Sequence, residues 1–435
     1  MKTRVTSVMA RQIWDSRGRP TVEAEVALAG GARGRAAAQA GASRGRNEAI
    51  DLRDGGARFG GYGVTKAVAN VNGAIAHALT GQDAADQVAI DNLITHLDGT
   101  PNLAKLGGNA CVAVSLAVLH AAAAAEGLPL WRYLADEKLP RIPLPEIQIF
   151  GGGAHAGRRI DIQDLMIMVP GAESVRDALE VTGDVYRAAG ELMAKAGSLA
   201  GTADEGGWWP NFESNEEALE ALTRAIDASG HVSGQDVFIS LDIAASEFFT
   251  GGRYRLALDG LELDSGGMAD LIQNWARRFP IISIEDPAAQ DDAPTMVRIT
   301  KALAVQSQII GDDFLVTDAA RVEQAAAAGA CTAVLIKVNQ AGTVSKAKRA
   351  LDAAKARGWA TIVSARSGET EDTSIVDLAV GWDAGQLKVG SFARSERMAK
   401  WNELLRIEEA MGADANFAGW SAFPASMKSH LGAAQ

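Results

Sequence analysis

Three carboxylates each close a run of apolar, β-branched residues: "VFISLD" ends at Asp242, "IISIE" at Glu285 and "QIIGD" at Asp312. Three cations do the same: "TAVLIK" ends at Lys337, "TIVSAR" at Arg366 and "QLK" at Lys388. The steps between them are roughly 25 to 45 residues, about one strand-loop-helix unit each. In a parallel barrel, such strand ends gather at one mouth. A buried carboxylate without a partner is costly, so three around one mouth demand positive charge. A ring of salt bridges to Lys337, Lys388 and Arg366 is one way to supply it. A metal is the other, and an all-oxygen set suits Mg²⁺, with coordination positions left for substrate oxygens. A lysine beside bound metal and other cations should have a lowered pKa and serve as a base. The proton it would take is one α to a carboxylate, which leaves only if metal charge stabilises the resulting dianion.

The elements that must carry these groups are legible from pattern. From about residue 143, strand-like runs ("EIQIF", "DLMIMV", "VFISLDIA", "IISIEDP", "QIIGDD", "TAVLIKVN", "TIVSAR") alternate with helical stretches such as "SVRDALEVTGDVYRAAGELMAKA" and "SKAKRALDAAKARG". The runs are nearly continuous in apolar residues, as expected for strands of a parallel sheet buried on both faces. About eight such units favour a closed (β/α)₈ barrel over an open sheet, with "TIV" as its last strand. Ahead of them lie an alternating strand pattern, "TVEAEVALAG", and helical periodicity in "VTKAVANVNGAIAHALTG" and "NACVAVSLAVLHAAAAAEG". The stretch "LADEKLPRIPLPE", with three prolines, marks a boundary and divides the chain into domains 1–138 and 139–435. The length of 435 residues suits two domains, and 47% hydrophobic content is ample for a core. A formal charge of −12 without any Lys/Arg block argues against nucleic acid, so an anionic ligand needs locally gathered cations or metal ions. No apolar run is expected to reach the roughly 18–20 residues of a membrane span, and the N-terminus lacks the apolar core of a secretory signal. Cys111 and Cys331 read as buried free thiols of a reducing, cytoplasmic setting.

In family order, "WDSRGRPTVEAEV", "GASRG", "GGGAHAG", "DEGGWWPN", "SLDIAASEFF", "SIEDPAAQDD", "GDDFLVT", "LIKVNQAGTVS", "SARSGETEDT" and "SERMAKWNELLRIEE" make the chain resemble enolase, phosphopyruvate hydratase, over essentially its full length. The resemblance implies an α/β fold of the enolase superfamily, a modified (β/α)₈ barrel preceded by an α+β N-terminal capping domain. It also implies a homodimer or higher assembly, and two Mg²⁺ per site. Asp242, Glu285 and Asp312 then correspond to metal ligands. Ser43 lies in a lid that supplies oxygens to the second ion and contacts substrate. Lys337 resembles the base that removes the C2 proton of 2-phosphoglycerate. Glu205, with Asp164 near it, resembles the acid side that helps the C3 hydroxyl leave. Lys388 resembles the lysine that holds the substrate carboxylate, and His155 a histidine that contacts substrate. Arg366 and Ser367 resemble the phosphate clamp, a role that suits a bidentate guanidinium and a hydroxyl. Gln163 completes the implied substrate contacts; Arg44 is expected to bind substrate too, as a cation added to the lid and not as something the resemblance implies.

The chain departs from the family where chemistry is expected. Ordinary enolases carry histidine at the position of Ala365, and asparagine and serine at those of Gly151 and Ala154. Gln39 and Arg44 are new in the lid, and Trp208 and Trp209 stand in "DEGGWWPN". Losing these polar groups should open space beside the anion clamp. The pattern points to a specialised paralogue that acts on a phosphorylated or phosphonate acid through an enolate. Carboxyphosphonoenolpyruvate synthase, of phosphonate and phosphinate natural-product biosynthesis, is one enolase-like branch that fits. An ordinary glycolytic enolase is the alternative reading, and a non-catalytic binding protein on the same scaffold is a third.

Overall fold

The computed structural model describes residues 1–42, 45–135 and 139–427. The chain opens with an antiparallel meander, β1 (Val5–Trp14), β2 (Pro20–Leu28) and β3 (Arg33–Ala37). Val22, Ala24, Val26 and Leu28 alternate inward from β2, the period-2 signature of a sheet with one buried face. The helix Gly108–Glu126 packs across that face. It stops at Gly127, whose φ of 70° is the left-handed cap that the terminal glycine suggested. At 19 residues this helix is apolar and long enough to cross a bilayer, contrary to the expectation that no such run exists. It is instead mostly buried as the core helix of the N-terminal domain. The stretch read as helical at residues 64–81 is helical from Thr65 to Leu79, with a π-helical turn at Val71–Ile75.

The remaining strands are β4 (Leu144–Gly151), β5 (Asp164–Met168), the hairpin β6 (Leu199–Thr202) and β7 (Trp208–Pro210), β8 (Phe238–Asp242), a small sheet β9 (Phe249–Thr250), β10 (Arg253–Leu256) and β11 (Leu261–Leu263), then β12 (Ile281–Glu285), β13 (Gln308–Gly311), β14 (Ala333–Ile336), β15 (Ala360–Ser364) and β16 (Gly385–Ser391). Strands β4, β5, β8 and β12 to β16 form one sheet, which β16 closes onto β4. It is an eight-stranded barrel, as expected, with two corrections. The barrel is not wholly parallel: β5 runs antiparallel to both β4 and β8. The link from Gly151 to Asp164 holds only a short 3₁₀ turn, too little for a helical crossover, so the chain returns as a hairpin. And β15, which holds "TIV", is not the last strand: β16 follows it, with Lys388 in mid-strand.

The barrel interior is polar along its axis. Glu146 accepts hydrogen bonds from Ser240 and Ser283, and Gln308 and Gln386 exchange amide bonds beneath them. Gln386 also donates to the carbonyl of Ala422, in the C-terminal segment whose Ala418, Phe423 and Met427 pack on Leu144, Met168 and Ile282.

Close packing of β3 on the core helix depends on Gly34. A Cβ there would lie 2.1 Å from the carbonyl oxygen of Ala117 and 2.2 Å from the nitrogen of Ala121, both backbone atoms that cannot swing aside. Gly34→Ala is therefore expected to destabilise the protein by about 3 kcal/mol or more, read as a lower urea midpoint. An unchanged midpoint would show that strand and helix do not meet this way.

Candidate active site

Strand register sets the site. Asp164 pairs with Asp242, and Asp242 with Glu285, so three neighbouring strands present acids at one level. Because β5 is reversed, its first residue rather than its last reaches the mouth, which is how Asp164 joins the other two. From across the barrel Lys388 places its Nζ 2.6 Å from Glu285 Oε2, 3.0 Å from Asp242 Oδ2 and 3.6 Å from Asp164 Oδ2. Burial pushes the lysine's pKa down, but Asp242, Glu285 and Asp164 outweigh it and hold the ammonium well above its ordinary range. Burial, then Asp242, drives the Glu285 carboxyl up.

Asp312 does not join this group. It accepts from Lys337 Nζ at 2.5 Å and from Gln340 Nε2 at 2.8 Å, and its ligand oxygens cluster within 4.8 Å of those of Asp286 and Asp313. The expected trio of acids is thus split between two lysines, and the salt-bridge ring is present. Burial depresses the pKa of Lys337, but Asp312 and Glu285 prevail over burial, Arg366 and Lys388 and raise it; the lowered pKa expected for a lysine beside bound metal is a different case. Asp286, at φ 41°, turns its carboxylate onto the backbone N–H groups of Asp312 and Asp313 at 3.0 and 2.8 Å. Burial, then the charge of Asp312, lifts Asp313 to about 7. Thr317, a β-branched residue at φ 52°, accepts the N–H of Lys337 and so fixes the base of that side chain.

Asp242, Glu285 and Asp312 offer oxygen only, the chemistry a hard divalent cation takes, and among the described residues Glu285 Oε1 is buried with no hydrogen-bond partner; the acids whose oxygens converge are Asp286, Asp312 and Asp313. Gln163 donates to Asp242 Oδ2 at 2.9 Å, and its own Oε1 is likewise buried and unpartnered.

The anion-clamp residues lie against these acids. Arg366 Nη1 donates to Glu48 Oε2 and Asn339 Oδ1, both at 3.1 Å. Ser367 Oγ meets His155 Nε2 at 3.0 Å, while His155 Nδ1 meets Asp164 Oδ1 at 3.0 Å and Glu205 lies 3.7 Å from Nε2. Burial pushes His155 down, but Glu205 and Asp164 reverse this and raise it to about 9. Gly368 exchanges backbone hydrogen bonds with Ala40 and brings the N-terminal domain onto the clamp. A Cβ on Gly368 would strike Arg17 and Asp15, at 2.2 and 2.4 Å.

His155, Gln163, Asp164, Glu205, Asp242, Lys337, Arg366, Ser367 and Lys388 therefore line one cleft, with Ala365 in its wall. Glu285 and Asp312 adjoin it through the two lysines. Ser43 and Arg44 lie outside the described residues. The cleft holds only about 20 Å³, so the expected space beside Ala365 is not open. At Gly151 an added Cβ would meet Ala203 Cβ at 2.5 Å and Gln148 Oε1 at 3.2 Å: the place of the lost side chain is filled. Trp208 stacks on Tyr186 at 4.7 Å, and Trp209 lies beside Arg159; neither lines the cleft. A larger cavity, about 510 Å³, lies elsewhere, between the helices Val175–Ala196 and Asn215–Ala228, over an apolar floor that includes Phe150, Met193 and Phe212. The titratable groups converge instead in the small cleft.

Sequence reasoning missed Glu48, Asn339 and Gln340. Asp286 and Asp313 stood beside predicted ligands, and adjacency was the only signal. Residues 5–134 match the family model for the enolase N-terminal domain, and residues 140–426 match that for the enolase C-terminal TIM barrel domain.

The raised pKa of His155 has a consequence for stability. Its extra stabilisation is fully present below about pH 6.5 and is lost as pH rises through about 9. Urea denaturation across that window is expected to show a loss on the order of 1–3 kcal/mol, and His155→Gln to flatten it. An equal slope in the variant would refute the assignment.

Proposed function

The chain belongs to the enolase family, and from that membership we propose that it forms an enolate from a 2-phosphoglycerate- or phosphoenolpyruvate-type acid with the help of Mg²⁺, two ions per site. We further propose a specialised branch, of the carboxyphosphonoenolpyruvate synthase kind, working as a cytoplasmic homodimer. The observation that carries the reading is the single cleft in which Lys337, Lys388, Arg366 and Ser367 surround the Ala365 wall.

Arg366 and Ser367 bind the phosphoryl or phosphonyl group, and Lys388 holds the carboxylate. Lys337 removes the proton at C2. It rests protonated against Asp312, so it becomes a base only when the charge of Asp312 is engaged elsewhere. Divalent ions held by Asp242, Glu285 and Asp312 would supply stabilisation of the negative charge that builds on the substrate carboxylate. Glu205, 3.7 Å from His155 Nε2, relays to a leaving oxygen the proton that the imidazolium of His155 gives up. The specialised reading is supported by two separate changes: Ala365 stands in the cleft wall where the family has an imidazole, and away from that wall Ala203 and Gln148 occupy the place that an asparagine at 151 would need. Lys337 and Glu205, both present, favour the second reading, ordinary dehydration of 2-phosphoglycerate.

Two measurements test this. With Mg²⁺ and 2-phosphoglycerate, enol-phosphate ultraviolet absorbance is expected to grow on the order of 10³-fold more slowly than with an ordinary enolase, as loss of a catalytic imidazole implies. Ordinary turnover would defeat the specialised reading. Lys337→Ala is expected to abolish exchange of the C2 hydrogen with heavy water, followed by NMR; undiminished exchange would remove Lys337 as the base.

A further inference from the structure

The helix Ser395–Met411 carries the motif "SERMAKWNELLRIEE", to which none of the chemistry above assigns a role. Its first turns present Arg397, Lys400 and Trp401 on one face, at the spacing of three and four that aligns side chains along a helix. All three are fully buried. Arg397 Nη1 donates to the carbonyl oxygens of Arg366 and Val389, each at 2.8 Å, and Nη2 donates to that of Ser367 at 2.6 Å. Lys400 Nζ donates to the carbonyl of Thr370 at 2.9 Å and lies 3.2 Å from Glu369 Oε2, at an angle too bent for a hydrogen bond. Glu369 Oε1 in turn accepts the N–H of Arg366 at 3.0 Å.

We propose that Arg397 and Lys400 are positioning residues that set the anion clamp of Arg366 and Ser367 against Lys388. A guanidinium donating mainly to carbonyls is an expensive way to pack a helix, because a buried charge forfeits hydration that neutral acceptors only partly return. What it gains is geometry. The planar fork holds three carbonyls at fixed mutual distances. Two belong to the residues of the clamp, and the third belongs to Val389, the residue after Lys388. One side chain thereby ties the loop after β15 to β16, and so sets the separation between the group that holds the phosphoryl end of a substrate and the group that holds its carboxylate. Lys400, one turn on, fixes the far end of the same loop through Thr370 and Glu369.

This inference rests on the reading of Arg366 as the anion ligand, and the test separates the two. The probes are inorganic phosphate and phosphoenolpyruvate, titrated calorimetrically into the full-length protein with Mg²⁺ in excess, alongside Mg²⁺ alone. Arg397→Lys keeps the charge and removes the fork; Lys400→Arg keeps the charge and changes its reach. Both are expected to weaken phosphoenolpyruvate binding on the order of tenfold or more, while Mg²⁺ affinity stays within about twofold. Trp401→Phe, on the same face, removes a bond to the carbonyl of Ser391 and part of a fully buried ring, but no contact to the clamp loop. It is expected to lower the melting temperature and leave the anion affinity alone. If either charge-retaining variant folds and binds phosphoenolpyruvate as the parent does, or if Trp401→Phe weakens binding equally, the residues are structural and the inference falls. If Arg366→Gln fails to weaken phosphate binding, the clamp assignment itself is wrong, whatever the other variants show.

Discussion

Everything at the barrel mouth depends on one shared ammonium. Asp164, Asp242 and Glu285 stand on adjacent strands at one level, and all three reach toward Lys388. Like charges about 4 Å apart repel by about 4 kcal/mol at an effective permittivity of about 20. One lysine cannot satisfy three carboxylates. The shortfall is visible in the protonation states: Asp164 is kept ionised by a second cation, His155, while Glu285 is driven toward its neutral form. Such a mouth favours further positive charge. It also makes each member of the set sensitive to what its neighbours hold.

The clamp carries the same tension with opposite sign. Arg366 is buried, and the carboxylate of Glu48, more than three hundred positions away in sequence, meets its guanidinium. An anion bound by Arg366 would have to offer it more than Glu48 does, so its affinity would be a difference between two ion pairs rather than the full strength of one. Because Glu48 belongs to the N-terminal domain, and Ala40 is bonded to Gly368, any exchange at Arg366 is felt across the contact between the domains.

The strand ends were legible because strands buried on both faces are unbroken apolar runs, and a charge that ends such a run has few places to be except the mouth. The direction of β5 was not legible: reversal depends on the shortness of the link after Gly151, and the strand itself looks like its parallel neighbours. Glu48, Asn339 and Gln340 lie in loops, where contacts across long stretches of chain leave no periodic trace. For Lys337, residue types show which charges are near one another but not which is in contact, here Asp312 at 2.5 Å. Gly151 was misjudged for a related reason. A smaller residue was read as empty space, but whether space opens depends on what packs against it, here Ala203 and Gln148.

That last point bears on how this site can discriminate among ligands. The cleft is lined by ten charged or polar side chains, most of them in mutual hydrogen bonds and ion pairs, and little free volume remains. A ligand therefore enters by exchanging partners, taking Arg366 from Glu48 and Lys388 from its acids, and the side chains it releases must move aside. Under that constraint, the absence of an imidazole at 365 matters less as added room than as a removed competitor. A histidine there would carry a donor, an acceptor and a charge that changes near neutral pH into a network already crowded with all three. A methyl group carries none. The neighbouring cations Arg366, Lys337 and Lys388 then face no competitor at 365 beyond the carboxylates that already hold them, so the charge a ligand brought, rather than its bulk, would weigh in whether it is held.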